Sequence, residues 1–468
     1  MKKFYTIFLL FLLIFNIQEG NAQFTKLFDF EGTATGSYPY GSLFSDGTFM
    51  YGMTYGGGVN NIGTIFKIKP DGSDYEKLLD FAGETNGKFP LSSLISDGTY
   101  LYGLTQKGGS NDMGVVFKIK HDGSGYEKLL DFAGETNGSY PRGPLIADEN
   151  YLYGMTQYGG TNDIGTIFKI KHDGSGYEKL LDFAGETNGK YPQSSLLSNG
   201  IFLYGMTQMG GTNDMGTIFK IMSDGTGFVK LLDFAGEING SSPWRSLISD
   251  GTYLYGATAY GGTGDMGTIF KIKPDGTEFL KLLDFAGEIN GSIPYSTLLL
   301  NGTFLYGSTY EGGTNNSGTI FKIKPDGSDY EKLFDFNSTT SGESPFGFLI
   351  SDETFLYGMT ETGGMFLKGV VFKYQYSNTT DIQTLSDNQK DLFYPNPFSF
   401  STTLNTKDIL NEATMIMYNQ QGQVVKQLSN LSGQTITVYR DNLPNGLYYI
   451  HLREGNRIIT TNKLIISY

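Results

Sequence analysis

A unit of 51 residues, repeated without insertion, limits what this chain can fold into more than any other feature of it. A Tyr-Gly pair recurs at Tyr51, Tyr102, Tyr153, Tyr204, Tyr255, Tyr306 and Tyr357, each step being 51 residues (102 − 51, 153 − 102 and so on). An Asp-Phe pair keeps the same step from Asp29 through Asp80, Asp131, Asp182, Asp233 and Asp284 to Asp335. Each unit of such an array is one supersecondary element that buries its apolar faces against its neighbours.

Within a unit, four short runs rich in Ile, Val, Phe, Tyr and Thr read as strands. In the second copy they are residues 91–96, 99–105, 114–120 and 126–132. Asp97-Gly98 and Asp122-Gly123 predict two-residue hairpins built on positive φ. Longer connections join the second strand to the third and each unit to the next. Every unit therefore reads as a four-stranded antiparallel sheet, and the series predicts an all-β, seven-bladed β-propeller. The ends of the array agree with a ring. Residues 24–30 (FTKLFDF) match the fourth strand of the other units, while the last unit stops after its third strand, GVVFKYQ at 369–375. The N-terminal strand is thus expected to close the last blade, whereas an open solenoid would want capping repeats.

Finer expectations follow. Thr64, Phe66 and Ile68 point one way along the third strand, and Ile65, Lys67 and Lys69 the other. Gly52 marks the approach of another backbone, that of the neighbouring blade. Glu76, Lys77 and Asp80 guard an outer edge against pairing.

The flanks are different. Residues 1–22 read as a secretory signal: Lys2 and Lys3, an apolar run over 4–17, and Gly20-Asn21-Ala22 before a cleavage between Ala22 and Gln23. The run is too short to favour a permanent anchor, and no transmembrane segment is expected in the mature chain. The absence of cysteine removes disulfides, thiolate metal sites and a Cys nucleophile. Stability must then come from burial, which a ring of roughly 350 residues can supply. A formal charge of −14 argues against a nucleic-acid partner. Residues 23–376 form the expected propeller and 377–390 a polar linker. Residues 391–468 form a small antiparallel sandwich with strand-like runs at 414–418, 423–428, 435–439, 446–453 and 457–467.

Two resemblances add to this reading. The tail, through Tyr394-Pro395-Asn396-Pro397, Tyr418-Asn419-Gln420-Gln421-Gly422, Leu443-Pro444-Asn445-Gly446-Leu447-Tyr448-Tyr449 and Lys463-Leu464-Ile465-Ile466, resembles the type A C-terminal sorting domain of type IX secretion cargo. That resemblance implies an Ig-like β-sandwich, recognition by the outer-membrane type IX machinery, a Bacteroidota-type cell, and a secreted or surface product. The matching residues Pro395, Asn396, Pro397, Gly422, Asn445, Gly446, Tyr448 and Lys463 are the expected sorting motif. The repeats resemble the GloVer-type tandem repeat, matched at Leu203-Tyr204-Gly205, Gly210-Gly211, Gly216-Thr217-Ile218-Phe219-Lys220 and Asp224-Gly225. This second resemblance implies an architecture and no activity.

Departures from the repeat show where function can lie. After the proline that opens the first strand stand Tyr40, Leu91, Arg142, Gln193, Trp244, Tyr295 and Phe346. Around a ring, Trp244, Tyr295, Phe346 and Tyr40 form an aromatic arc near the channel mouth. With Arg142 and Arg245 they are the expected ligand-binding residues, suited to a sugar ring or an apolar peptide side chain; the bland alternative is that they plug the channel. A second variable row, Tyr55, Gln106, Gln157, Gln208, Ala259, Tyr310 and Glu361, is expected further out on that face. Beside it run Gly56, Lys107, Tyr158, Met209, Tyr260, Glu311 and Thr362.

Other chemistry is thinly supported. Asn111-Asp112, Asn162-Asp163 and Asn213-Asp214 invite a calcium reading, but the pattern drifts between copies and turns need no metal. His121 and His172 occupy equivalent hairpin positions and His451 lies in the tail, so no triad forms. Glu311 and Glu361 are the least repetitive acids for a glycosidase. The expectation is a monomeric, non-catalytic module for glycan or protein, without cofactor or metal. A carbohydrate-active enzyme and a passive adhesion protein are the alternatives.

Overall fold

The computed structural model describes residues 23–376, 393–394, 398–419, 424–454 and 457–466. The expected signal (1–22), the linker (377–390), Pro395, Asn396, Pro397 and Gly422 lie outside these described residues. The chain divides into two compact units, Met1–Asn378 and Thr379–Tyr468. Every regular element among the described residues is a β-strand.

In the first unit, seven antiparallel sheets follow one another. The second consists of Ile95–Ser96, Tyr100–Thr105, Val115–Lys120 and Glu127–Asp131 in spatial order, and five others repeat that plan. The seventh takes its outer strand from the head of the chain: Phe24–Asp29 pairs with Val370–Gln375, Phe24 opposite Tyr374 and Asp29 opposite Val370. The backbone carbonyl of Gln23 accepts from the Gln375 N–H at 2.7 Å. This sheet has a fifth strand, Glu343–Pro345, paired with the end of Phe355–Thr362. In most other copies the equivalent contact is a single bridge, such as Ser292 to Glu311.

Both faces of the middle strands are buried, because each sheet lies between two others. Ile65 and Phe81 of the first sheet pack with Leu94, Leu101, Val115 and Phe117 of the second. Phe66 and Ile68 turn the other way, onto Phe30, Tyr357, Met359 and Val371 of the seventh. Alternation along the strand thus selects a neighbouring sheet rather than core or water. Each pair of successive sheets shares one such apolar cluster, and the seventh shares one with the first. The outer strand carries its charges in local pairs, as in Lys77 to Asp80 at 3.0 Å and Lys67 to Glu76 at 2.9 Å. Such charges blunt an exposed edge.

Three local expectations are corrected. The first strand of each sheet is short, Ile95–Ser96 rather than residues 91–96. Among the described residues the segment before it has no ladder with its own sheet; Ser92 Oγ donates to Leu104 O within the copy, and Ser93 Oγ accepts from Ser42 N–H of the copy before. Gly52 makes room for no neighbouring backbone; a Cβ there would lie 2.5 Å from Cζ of Phe66, the cross-strand partner whose ring covers it. The Asp-Gly turns are not simple two-residue hairpins. At the first, Gly98 alone takes positive φ (+91°), and the Asp97 carboxylate accepts from the N–H groups of Thr99 and Tyr100, each at 2.8 Å. At the second, Gly123 is followed by another positive-φ position, Gly125, before the strand resumes at Glu127.

That first turn makes stability depend on acid. Its carboxylate also accepts from a buried tyrosine: Tyr51 to Asp46 and Tyr102 to Asp97 at 2.8 Å, Tyr153 to Asp148 and Tyr255 to Asp250 at 2.7 Å. Burial opposes ionisation of all four carboxyls, but the turn N–H groups and the tyrosine hydroxyl outweigh it and hold them below the ordinary 3.8. A carboxyl depressed on folding contributes stability that is complete above its unfolded value and lost as pH falls through the folded one. The urea midpoint is therefore expected to fall as pH drops from 5 towards 2. Asp97→Asn should flatten that slope, since Asn199 already holds the same turn in the fourth copy, accepting from Phe202 N–H at 2.8 Å. An unchanged slope in the variant would exclude this carboxylate as a contributor.

The second unit is a single five-stranded antiparallel sheet of Phe393–Tyr394, Ser401–Tyr418, Val424–Tyr439, Gly446–Glu454 and Arg457–Ile466. Two runs expected as separate strands, 423–428 and 435–439, belong to one strand, and 414–418 ends another that begins at Ser401. Register shifts between Asn405 and Leu410, Leu410 and Ala413, and Ala413 and Met415 interrupt the pairing of the two long strands. Such irregularities bend a strand, so its two halves show separate alternation. Phe393, Leu404, Met415, Val438, Tyr448, Ile450 and Leu464 form the core.

Candidate functional site

The site is built where the short inner segments of the seven sheets meet. Successive copies approach so closely that a Cβ on Gly41 would lie 2.3 Å from Ser92 O, and one on Gly143 only 2.1 Å from Ser194 O. Serine and threonine hydroxyls then tie copy to copy: Ser93 Oγ accepts from Ser42 N–H at 2.7 Å and Ser246 Oγ from Ser195 N–H at 2.8 Å. The last copy joins the first in the same way, Phe348 N–H donating to Ser42 Oγ at 2.7 Å. This arrangement projects the variable residue next to each proline to one place.

There a cavity of about 380 Å³ is lined by Tyr40, Tyr55, Leu91, Gln106, Arg142, Gln193, Trp244, Arg245, Tyr295, Tyr310, Phe346 and Glu361. All six residues expected to bind ligand stand in this lining. The aromatic arc is continuous. Trp244 stacks on Tyr295 (4.5 Å, 18°), Tyr295 meets Phe346 edge-on at 5.3 Å, and Phe346 meets Tyr40 edge-on at 4.9 Å.

The second variable row divides: Gln157, Gln208 and Ala259 are not in the lining, but four of its members are. Tyr55, Gln106, Tyr310 and Glu361 line the same cavity rather than lying further out. The row beside it does lie outside: Lys107, Tyr158, Tyr260 and Glu311 bridge through their backbones to the preceding connection. Of the two acids considered for hydrolysis, Glu361 lines the cavity and Glu311 does not.

The charged groups of the lining have defined partners, whereas the buried Nε1 of Trp244 has no hydrogen-bond partner among the described residues. Glu361 accepts from Tyr40 OH at 2.5 Å and from Tyr310 OH at 2.9 Å, so both its oxygens are engaged. Burial, then Glu361, raises the Tyr40 phenol and pushes Tyr310 up to about 12. Arg142 donates through Nη1 to Gln193 Oε1 at 3.1 Å. With the Gln106 amide turned so that its oxygen faces the guanidinium, that oxygen accepts from Nε and Nη2, each at 3.1 Å. Gln193 in turn donates to Gln208.

Arg245 stands in a row otherwise made of Gly and Ser (Gly41, Ser92, Gly143, Ser194, Ser296, Gly347). Its Nε donates to Tyr295 O at 2.7 Å and its Nη2 to Phe346 O at 3.1 Å, and the guanidinium lies 4.1 Å from the Phe346 ring centre. Burial first, with repulsion from Arg142, lowers it to about 9, which leaves it a cation at neutral pH. Among the described residues neither arginine faces a carboxylate within ion-pair distance.

The asparagine and aspartate loops are occupied by their own backbone. Asp112 Oδ1 accepts from Gly108 N–H at 2.9 Å, and Asn111 Nδ2 donates to Phe132 O at 2.9 Å. Among the described residues no group of three or more His, Asp or Glu is arranged around a cation. In the tail, Tyr448 is buried and its hydroxyl donates to Pro444 O at 2.8 Å, with Asn445 and Gly446 between them. Lys463 pairs with Tyr449 along the last strand.

These features define a repeat protein of propeller-like sheets bearing a secretion tail. The chain belongs to the Gloeobacter/Verrucomicrobia repeat family, matched over residues 13–208, 195–301 and 249–396. Residues 392–467 match the secretion system C-terminal sorting domain, which marks the chain for type IX export to the cell surface or beyond. No helix among the described residues is long and apolar enough to cross a membrane. A comparison with curated proteins finds no match.

Solved structures resemble the chain at low identity. An oligogalacturonate lyase in complex with manganese aligns at 12% identity and TM-score 0.48, over 75% of this chain and 92% of that one. A protein described as the extracellular domain of a hybrid two-component system from B. thetaiotaomicron aligns at 12% and 0.49, over 95% and 57%. PorZ, a surface component of the type IX secretion system of Porphyromonas gingivalis, aligns at 12% and 0.36, over 91% and 65%.

Proposed function

We propose that residues 23–376 form a closed seven-bladed β-propeller, exported by its tail, that holds a saccharide at the mouth of its channel without chemically altering it. Closure is supported by the count of inter-sheet cores: seven sheets share seven clusters, whereas an open row would have one fewer. Residues 1–22 act as the export signal, 377–390 as a linker, and 391–468 as an Ig-like sorting sandwich docking on the outer-membrane machinery.

The observation that carries the binding reading is the aromatic arc facing amides and arginines across an open cavity. Its volume lies within the roughly 300–1,000 Å³ of ligand sites. Aromatic faces take the apolar faces of a sugar ring, while Gln106 and Gln193 offer donors and acceptors to its hydroxyls. A plug would fill the space that these side chains leave open. Acid-pair hydrolysis needs a second carboxylate beside the first, and Glu361 is the single one lining the cavity.

A glycan array probed with the mature protein tests this. Binding is expected, and Trp244→Ala should weaken it about 30-fold or more, the roughly 2 kcal/mol that a buried aromatic anchor contributes. An array blank for the native protein, with a peptide library retained instead, would replace the saccharide by a protein ligand. Equal binding by native and variant would move the site off the arc.

A further inference from the structure

The geometry points to a carboxylate-bearing saccharide, of the uronic or sialic acid kind, with its acid group held by Arg142. This rests on the saccharide-binding reading and goes beyond it, because the same arc without its charges would serve neutral sugars equally well.

The argument begins with charge. The lining contains two arginines against one glutamate, a single net positive charge, in a chain whose formal charge is −14. The glutamate forms no ion pair with either arginine among the described residues; its two oxygens accept instead from Tyr40 and Tyr310. Arg142 and Arg245 are held instead by neutral oxygens: side-chain amides in one case, backbone carbonyls in the other. Two half-buried cations near one another, neither in an ion pair, cost desolvation and mutual repulsion. Burial accordingly depresses the Arg142 guanidinium, as it does that of Arg245. An incoming anion removes that cost.

The two arginines divide the work. Arg245 is a strut, its Nε and Nη2 fixed on the carbonyls of two successive copies and its plane over Phe346. Arg142 is positioned but not exhausted. Gln193 takes one hydrogen of Nη1, and Gln106 takes the Nε hydrogen and one of Nη2. Each terminal nitrogen thus keeps one N–H that no described residue accepts. A planar carboxylate suits a guanidinium better than a lysine ammonium would, because it can take two parallel N–H bonds. Gln208 braces Gln193 from behind, so the fork is held before ligand arrives. A single net charge in the lining favours one carboxylate over a polysulfated chain.

The test uses the mature full-length protein on an array of glycans: hyaluronan and sialyllactose oligosaccharides, their carboxyl-reduced forms, and sulfated keratan oligosaccharides, which contain no uronic acid. Expected is binding to a carboxylated member, loss on reduction of its carboxyl, and about 10- to 100-fold weakening by Arg142→Gln, the range for a hydrogen bond to a charged group. Arg142→Lys should recover part of the affinity, with stronger dependence on salt and an unchanged melting temperature. Carboxylated and carboxyl-reduced glycans bound alike, with Trp244→Ala still harmful, would overturn the acid assignment and leave the saccharide site standing. Preference for sulfated over carboxylated members would likewise overturn it. An array blank throughout would defeat the site itself, and this inference with it.

Discussion

Removal of residues 24–30 from the mature protein should destabilise it more than any single core substitution and release the last sheet. Among the described residues the strand Phe24–Asp29 forms a single ladder, with Val370–Gln375, more than 300 residues away. It is also a wedge between two further sheets. Phe24 stacks on Phe334 of the sixth at 4.2 Å and 4°, and Phe28 stacks on Tyr75 of the first at 4.2 Å and 5°. Phe30 is fully buried against Phe66 at 5.2 Å, and its N–H donates to Gly369 O at 3.1 Å. Asp29 caps the loop of the seventh sheet by accepting from Met365 N–H at 2.8 Å.

Phe30→Ala alone should cost about 3–5 kcal/mol, a large part of the roughly 5–15 kcal/mol that holds a domain together. Deletion removes that residue, two more aromatics and a ladder, so the urea midpoint should fall further still. Hydrogen exchange should quicken at residues 370–375 first. By contrast Lys26→Ala, which breaks only the part-exposed pair to Asp29 at 2.8 Å, should change little. A deletion variant that keeps the native midpoint and native protection over 370–375 would show that the head of the chain does not close the array.

Much of this was legible because the repeat multiplies every signal. The strands around Tyr102 and Phe117 alternate cleanly, and the mismatch between FTKLFDF at the head and the missing strand at the tail foretells the Phe24 to Tyr374 pairing. What failed did so for reasons that one copy cannot display. Residues 91–94 have the composition of a strand, yet Ser93 bonds across to Ser42, one repeat away. The role of Gly52 depends on its register with Phe66, which pattern alone leaves open. The inner variable row was found by comparing copies with one another, and the cavity gathers Tyr40, Arg142, Trp244, Tyr295 and Phe346 as that comparison suggests. Glu361, Gln106, Tyr55 and Tyr310 were set too far out. Tyr55, Gln106 and Tyr310 stand just past the threonine that ends their strand, and Glu361 stands inside the longer strand Phe355–Thr362; neither place says that the side chain turns inward. In the tail, register shifts let one 16-residue strand read as two shorter pieces and left only the end of its 18-residue partner legible.

Deleting residues 463–468 should abolish appearance of the protein outside the cell while leaving the repeat unit folded. Leu464 and Ile466, buried at 0% and 1%, carry the last strand into the tail's core, opposite Tyr448 and Gly446. The truncation removes both anchors, and with them the exposed lysine Lys463 that the sorting motif includes. The repeat unit has its own seven cores and is a separate compact body, so its melting transition should persist in the trapped protein. Fractionation separates the outcomes: truncated chain held in the periplasm, native chain outside, and a reporter fused to residues 391–468 behind an export signal carried outside as well. Leu452→Ala, a fully buried core residue outside the motif segments, distinguishes a folded signal from a linear one. If the machinery reads the folded shape of the tail, loss of this core side chain, about 2–5 kcal/mol, should impair export though every residue of the motif remains. If the truncated chain still reached the medium in native amounts, sorting would have to reside elsewhere in the protein.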